Sequence, residues 1–405
     1  MMNGENLNCN MYGVKKKQHY VPRFYLKLFA DAERKFYAYD FEKQIIIPNR
    51  VFYESQCYKK YFYGEDGIFE NLLSQKEGQW ASVCKKIVSK EKLEENDISL
   101  LKQLVLYQRQ RTSGENSRTR EEREAVLMEY VRLLYLSRGW TFDKQAECYC
   151  KKMAKEEANP AENVLIASKM LEYLDDLGVL IVHYRTKQLL VASDSPVITL
   201  NPFMRFRGFG YDNMGVAFLM PISPKDLVIV YDDYIYTKYK NVLYIESDDE
   251  ETVNCINCYG MINAERMVYS SDENSFKLVT KEIFDYRERE KKRNKTQFLG
   301  AEGSERIIFL QPSGVEYYYE LPYIHLPREY RRIPYNCREA IPRHYEKGWD
   351  NKLALKYRIL SMSNKLPLNN NKTKENLSIK TDLKLGCRRM ENLAKIYWKN
   401  RGYNI

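Results

Sequence analysis

Two polar side chains lie where the sequence predicts the start of a helix and the end of a strand. His19 stands just before a helix predicted to begin at Pro22, and the positive end of a helix dipole favours a neutral imidazole. A neutral imidazole can act as a general base or a metal ligand. Alternatively, His19 hydrogen-bonds a loop and fixes the N-terminal segment. Asp194 follows a predicted strand. Pro196 forces the chain before it to be extended, which holds the carboxylate in one place, as a functional site requires. The alternative for Asp194 is an Asx-turn.

Gln108 and Arg111 lie at the polar end of a helical stripe whose start, at Ile98 and Val105, is apolar. A buried arginine needs a partner because an unpaired buried charge is expensive. Asp194 is the predicted partner, and a bound anion is a second one, since a guanidinium can grip it through two nitrogens. A structural Arg–Asp bridge without a ligand is the remaining alternative.

Further residues complete the candidate site. Glu70 and Glu77 share an apolar stripe on a predicted helix, where carboxylates can bind a divalent metal or instead face solvent. Contacts to the substrate are expected from Tyr20, Arg23, Ser193 and Asn257.

The elements that must position these residues form a helical middle between two strand-rich flanks. Helical spacing predicts helices at about 67–89, 97–112, 115–137, 144–156 and 161–177. A hairpin is predicted over 35–48, and a second one joins 179–185 to 189–200. The predicted fold is therefore α+β, with the helices packed on a mostly antiparallel sheet. Its predicted parts are a flexible N-terminus (1–14), a core domain (15–290), a Pro/Tyr/Arg-rich extension (291–362), a linker (363–384) and a short basic helix (385–405).

Charge is distributed unevenly along the 405 residues. Residues 287–405 hold 26 Lys and Arg against 13 Asp and Glu, a net charge of +13, whereas the other 286 residues have a net charge of −3. A basic segment of this kind is typical of a nucleic-acid partner, or of a solvated surface. The sequence has no apolar run long enough for a membrane span, no apolar leader, and nine scattered cysteines. A cytoplasmic protein without a membrane partner is expected.

Three short blocks occur in a recognisable order: KQHYVPRFYL (17–26), QRQRT (108–112) and SDSPV (193–197). With MPISPKDLVIV (220–230) and the segment 253–271, they resemble family 4238 of the bacterial domains of unknown function. Arg23 stands where that family is expected to have Gln. The resemblance covers about 15–272 and implies a shared fold and site, but no reaction.

Two functions follow as hypotheses. The first is a hydrolase acting on nucleic acid or nucleotides, such as a toxin or defence effector. In this enzyme His19 is the general base, Arg111 with Gln108 holds a phosphate, and Asp194 orients His19 or binds a divalent metal. The second is a non-catalytic module that binds an anionic ligand or nucleic acid through the same residues.

Overall fold

The structure is a computed structural model that describes residues 16–157, 160–204, 210–293, 297–299, 307–309, 314–333, 341–344, 389–390 and 392–404. The predicted flexible N-terminus and the predicted linker lie outside these ranges. The strands are β1 (Lys17–His19), β2 (Lys35–Asp40), β3 (Ile45–Ile46), β4 (Val51–Phe52), β5 (Tyr58–Lys60), β6 (Gly178–Tyr184), β7 (Ala192–Ser193), β8 (Ile198–Leu200), β9 (Ala217–Pro221), β10 (Asp226–Tyr231), β11 (Tyr244–Ser247), β12 (Met267–Ser270), β13 (Gln297–Leu299) and β14 (Ile307–Phe309). The helices are α1 (Arg23–Lys27), α2 (Ile68–Val88), α3 (Glu95–Gln110), α4 (Ser113–Ser137), α5 (Lys144–Glu157), α6 (Pro160–Lys169), α7 (Glu172–Asp175), α8 (Glu250–Asn263), α9 (Lys281–Arg293) and α10 (Arg328–Arg331).

The larger sheet has the strand order β11-β6-β10-β9-β8. Every pair is antiparallel except β11 with β6, which is parallel. All residues of β9 and β10 are buried, which explains why these strands appear in the sequence as continuous apolar runs.

The second sheet has the order β3-β2-β12-β7, and β4 also pairs with β2. Strand β12 therefore lies between one strand from the start of the chain and another from its middle. Strands β1 and β5 form a separate antiparallel two-stranded ribbon.

The predicted helical middle is confirmed by α2 to α7, with α6 and α7 in place of the single helix 161–177. These helices and the antiparallel-rich sheets give the predicted α+β fold. The hairpin over 35–48 is also confirmed, since β2 pairs with β3. The hairpin joining 179–185 to 189–200 is wrong: β6 pairs with β10 and β11, while β7 and β8 join different sheets. The apolar strand β6 pairs with strands that are distant in sequence instead of with the segment that follows it.

The described C-terminal residues share the main core. Tyr323 and Ile324 are buried in it, as are Tyr397 and Trp398 from a C-terminal helix formed by 389–390 and 392–400. Two arginines anchor these segments: Arg343 and Arg401 both pair with Asp176, and Tyr397 donates to Asp232 at 2.8 Å. These described segments of the basic region are thus integrated into the fold.

Candidate functional site

The end of α3 holds the opening segment of the chain. The side-chain amide of Gln108 donates to the carbonyl of Tyr20 at 3.0 Å, and Arg111 Nη2 donates to the carbonyl of His19 at 2.7 Å. Both side chains are almost fully buried. Because a buried carbonyl without a donor costs free energy, these bonds stabilise the path of the opening segment. The structure thus brings His19, Gln108 and Arg111 together.

Arg111 pairs with a different carboxylate from the one predicted. Its Nη2 lies 2.7 Å from Glu77 Oε1, and its side chain is 1% exposed. The predicted pairing with Asp194 is therefore wrong. Helix α2 packs beside α3 and supplies the counter-ion from one of the two predicted metal ligands. The other predicted metal ligand, Glu70, is half-buried on α2. Its charge and that of Glu77 act on Tyr63, whose pKa is raised to about 12 mainly by burial.

His19 is neutral at physiological pH, but for a different reason from the predicted helix dipole. It lies in β1, its Nε2 is 3.3 Å from the carbonyl of Glu54, and its ring centroid is 5.5 Å from that of Tyr58. Its pKa is lowered to about 4, first by burial and then by the charges of Arg23, Arg111 and Lys17, against the opposing effect of Glu77. A base this weak transfers protons poorly near pH 7.

Asp194 binds backbone amides that are distant in sequence. Its Oδ1 accepts from the amide of Glu265 at 2.9 Å, and its Oδ2 accepts from those of Arg266 and Met267 at 2.8 Å each. It therefore connects the end of β7 to the start of β12 and forms no Asx-turn. Burial raises its pKa to about 6, although the amide bonds favour the charged form.

The four residues predicted to contact the substrate differ in their exposure and hydrogen bonds. Asn257 accepts from the amide of Val191 at 3.0 Å and donates to the carbonyl of Leu189 at 2.8 Å, so it links α8 to the chain before β7. Ser193 Oγ accepts from the amide of Ser195 at 3.2 Å. Arg23 is exposed and Tyr20 is half-buried. Among the described residues, no group of three His, Cys, Asp or Glu side chains could hold a metal ion.

A cavity of about 420 Å³ lies next to these residues, at the first turn of α4. We call it the α4 cavity. It is lined by Arg109, Thr112, Gly114, Glu115, Ser117, Arg118, Glu121, Ser195, Val197, Ile262, Asn263, Ala264, Glu265, Arg287, Glu290 and Lys291. Its walls thus come from the QRQRT block, the first part of α4, the SDSPV block, the end of α8 and α9. His19, Gln108, Arg111 and Asp194 are absent from this lining.

Two arginines neutralise the carboxylate in the wall of the α4 cavity. Glu115 is buried and forms ion pairs with Arg109 and Arg118, the latter through Nε at 2.9 Å. Burial disfavours the charge of Glu115, but the two guanidiniums outweigh it and lower its pKa to about 2. Arg118 also pairs with Glu122 at 2.5 Å, so two arginines and two carboxylates balance each other in this network.

Arg287 adds a positive charge to the wall of the α4 cavity. Its guanidinium donates to the carbonyls of Met261, Ala264 (2.7 Å) and Glu265 (3.0 Å), at the C-terminal end of α8. It is 8% exposed, and burial lowers its pKa to about 10. The charge of Asp194 acts on it from a distance, but no carboxylate of the described ranges lies within 4.0 Å. The carbonyls at the negative end of the α8 dipole and the Phe41 ring, whose centroid is 4.0 Å from Cζ, stabilise its charge, but no anion neutralises it among the described residues.

The sequence does not predict Arg287 as a site residue, because its charge belongs to the basic C-terminal region. A usable signal was present, since Ile283, Arg287 and Glu290 have helical i, i+4, i+7 spacing and all three are buried. A charged residue on the apolar stripe of a helix indicates a buried charge.

These features define the molecule as an α+β protein with a charged cavity where several of its motif segments meet. The chain matches the model of a family described as proteins of unknown function (DUF4238) over residues 17–274, and it belongs to that family, as the sequence blocks predicted. No curated protein and no solved structure matches the chain. In the described part of the chain, no helix is long and apolar enough to cross a membrane.

Proposed function

We propose that this protein binds a phosphate-bearing ligand of nucleotide size in the α4 cavity. The observation that carries the proposal is Arg287, a buried guanidinium in the cavity wall with carbonyl partners and no carboxylate contact. An unneutralised buried charge is costly, and an anion in the cavity would remove that cost. Arginine also binds phosphate in a planar, directional manner.

The first turn of α4 adds amide donors, since its Gly114 and Glu115 line the same cavity as Arg287. By helix geometry, the amides of Ser113 and Gly114 have no carbonyl acceptor within α4, whereas that of Glu115 is capped by Thr112 Oγ1 at 3.2 Å. Helix N-termini favour anions through such amides and through the dipole. A volume of about 420 Å³ lies within the usual range for small-molecule sites.

Glycine at position 114 keeps these amides accessible. A Cβ there would lie 3.5 Å from Ser195 Oγ and 3.6 Å from Glu265 Cβ, which is ordinary van der Waals contact. A methyl group therefore fits the fold while narrowing the cavity. This makes Gly114→Ala a variant that separates binding from folding.

The test is calorimetric titration with inorganic phosphate, nucleoside mono-, di- and triphosphates, and uncharged nucleosides. We expect binding of at least one phosphorylated compound and none of the nucleosides. Loss of a charged hydrogen bond is worth about 1.5–3 kcal/mol, so Arg287→Met should weaken binding by about 10–100-fold. The matched control is Arg289→Met, two residues along α9, where the side chain is 55% exposed and pairs with Glu316.

Gly114→Ala should weaken binding without lowering the melting temperature. Its control is Gly78→Ala on α2, where an added Cβ meets nothing within 4 Å. Failure of the wild type to bind any phosphorylated compound contradicts the proposal, as does unchanged binding in both cavity variants.

Hydrolysis of the ligand stays a prediction from the sequence. The same compounds test it through release of phosphate or of shorter nucleotides. Turnover that is abolished by His19→Ala, with binding retained, would favour the enzyme over the binding module.

A further inference from the structure

We propose a second binding surface, for single-stranded nucleic acid, on the two-stranded ribbon of β1 and β5. We call this the basic ribbon, with Lys17, Lys60, His19 and Tyr58 on one side. It is separate from the α4 cavity, and the proposal does not depend on what that cavity binds.

Cross-strand pairing places like charges together on the basic ribbon. Lys17 pairs directly with Lys60 in the antiparallel register, and both side chains are exposed. Like charges directly opposite each other destabilise a strand pair. Within the described ranges, neither lysine has a carboxylate oxygen within 4.0 Å. A bound polyanion would supply the missing negative charge.

An aromatic ring lies among these cations. His19 pairs with Tyr58 across the ribbon, and Lys17 Nζ is 4.8 Å from the centroid of the Tyr58 ring. The Tyr58 side chain is half-buried and so is held in place. A fixed ring beside phosphate-binding lysines is the combination that proteins use to stack unpaired bases.

Most of the charges that act on His19 are positive. Lys17, Arg23 and Arg111 all lower the pKa of His19, and Glu77 is the carboxylate that opposes them. The carboxylate of Glu54, whose backbone carbonyl lies 3.3 Å from His19 Nε2, forms ion pairs with Arg34 and Arg23. An approaching phosphate therefore meets net positive charge.

The other side of the ribbon leads towards the α4 cavity. Lys59 donates to Ser113 Oγ, at the first residue of α4. Its Nζ also lies 5.9 Å from the Tyr20 ring and 5.6 Å from the Phe62 ring. These contacts hold this side of the ribbon against the first turn of α4 and leave Lys17 and Lys60 exposed on the opposite side. We favour a single strand over a duplex because a duplex offers no unstacked base to Tyr58.

The test uses fluorescence anisotropy with a short labelled oligothymidylate over a range of salt concentrations. For Lys17→Gln/Lys60→Gln we expect about tenfold weaker binding. The slope of log affinity against log salt should fall by about 1.4, because each phosphate contact on a single strand contributes about 0.7. Tyr58→Leu should weaken binding with an unchanged salt slope. The matched control is Lys43→Gln/Lys277→Gln, which removes two exposed charges elsewhere.

Several results would overturn the proposal. One is wild-type protein that does not bind the oligonucleotide at low salt; another is equal loss in the ribbon and control variants. Unchanged binding in the ribbon variant would assign the nucleic acid to another surface, such as the basic residues of 287–405. Binding to vesicles of anionic lipid but not to the oligonucleotide would assign a membrane partner. Gly114→Ala keeps the ribbon intact, so loss of nucleotide binding there leaves this proposal standing.

Discussion

The lowered pKa of His19 makes protein stability depend on pH in a defined direction. The unfolded chain takes up a proton on this imidazole near its ordinary pKa of 6.5, whereas the folded protein does so only at about pH 4. Between these values the unfolded state binds more protons. Stability is therefore fully present above about pH 6.5 and is lost as the pH falls towards 4.

The magnitude follows from the size of the shift. One pKa unit corresponds to about 1.4 kcal/mol, so the full effect is about 3 kcal/mol. Because the ring is half-exposed and solvent screens its neighbours, we expect about 2 kcal/mol.

Urea unfolding of the wild type and of His19→Gln at about pH 7.5 and pH 4 isolates this effect. Glutamine does not titrate, so the wild-type advantage in unfolding free energy should shrink by about 2 kcal/mol on acidification. Imidazole NMR signals report the pKa directly, and the chain has only four histidines to assign. A His19 midpoint at or above 6.5, or an advantage that stays constant with pH, would refute the reasoning.

Three further outcomes are expected. Asp194→Asn leaves one of the three backbone amides facing another donor, so chemical denaturation should show a loss of about 1–3 kcal/mol, where a turn-forming aspartate would give almost none. Glu77→Gln should lower the melting temperature more than Arg111→Met when both are measured by calorimetry, because only the first leaves a buried charge without its counter-ion; the reverse order would contradict the ion pair. Deleting 389–405 should remove several buried side chains worth about 1.5–3 kcal/mol each and give insoluble protein on expression, whereas a dispensable appendage would leave it soluble.

The sequence predicted the elements that depend on the spacing of residues close together in the chain. Helices α2 to α5 and the hairpin of β2 and β3 follow from apolar periodicity over adjacent residues. The contact of Gln108 and Arg111 with the opening segment agrees with their position at the polar end of an apolar stripe. The family followed from the order of its blocks.

Contacts between residues that are distant in sequence were not predictable. Asp194 binds amides some 70 residues away, and backbone amides have no residue type by which a sequence could reveal them. The sequence offers several carboxylates as partners of Arg111, and Glu77 forms the ion pair because α2 packs on α3. The separation of β6 from β7 likewise depends on a sheet assembled from distant segments.

The position of β12 in the second sheet has a consequence during synthesis. Strand β2 leaves the ribosome early, but its central neighbour is β12, whose residues emerge more than 220 positions later. Until β12 has been synthesised, β2 presents an unpaired edge, and β7 also lacks β12 as its neighbour. Unpaired edges invite wrong pairing with other chains. The nascent protein therefore depends on late closure of this sheet, and its yield in the cell should respond to the supply of chaperones that shield the early strands.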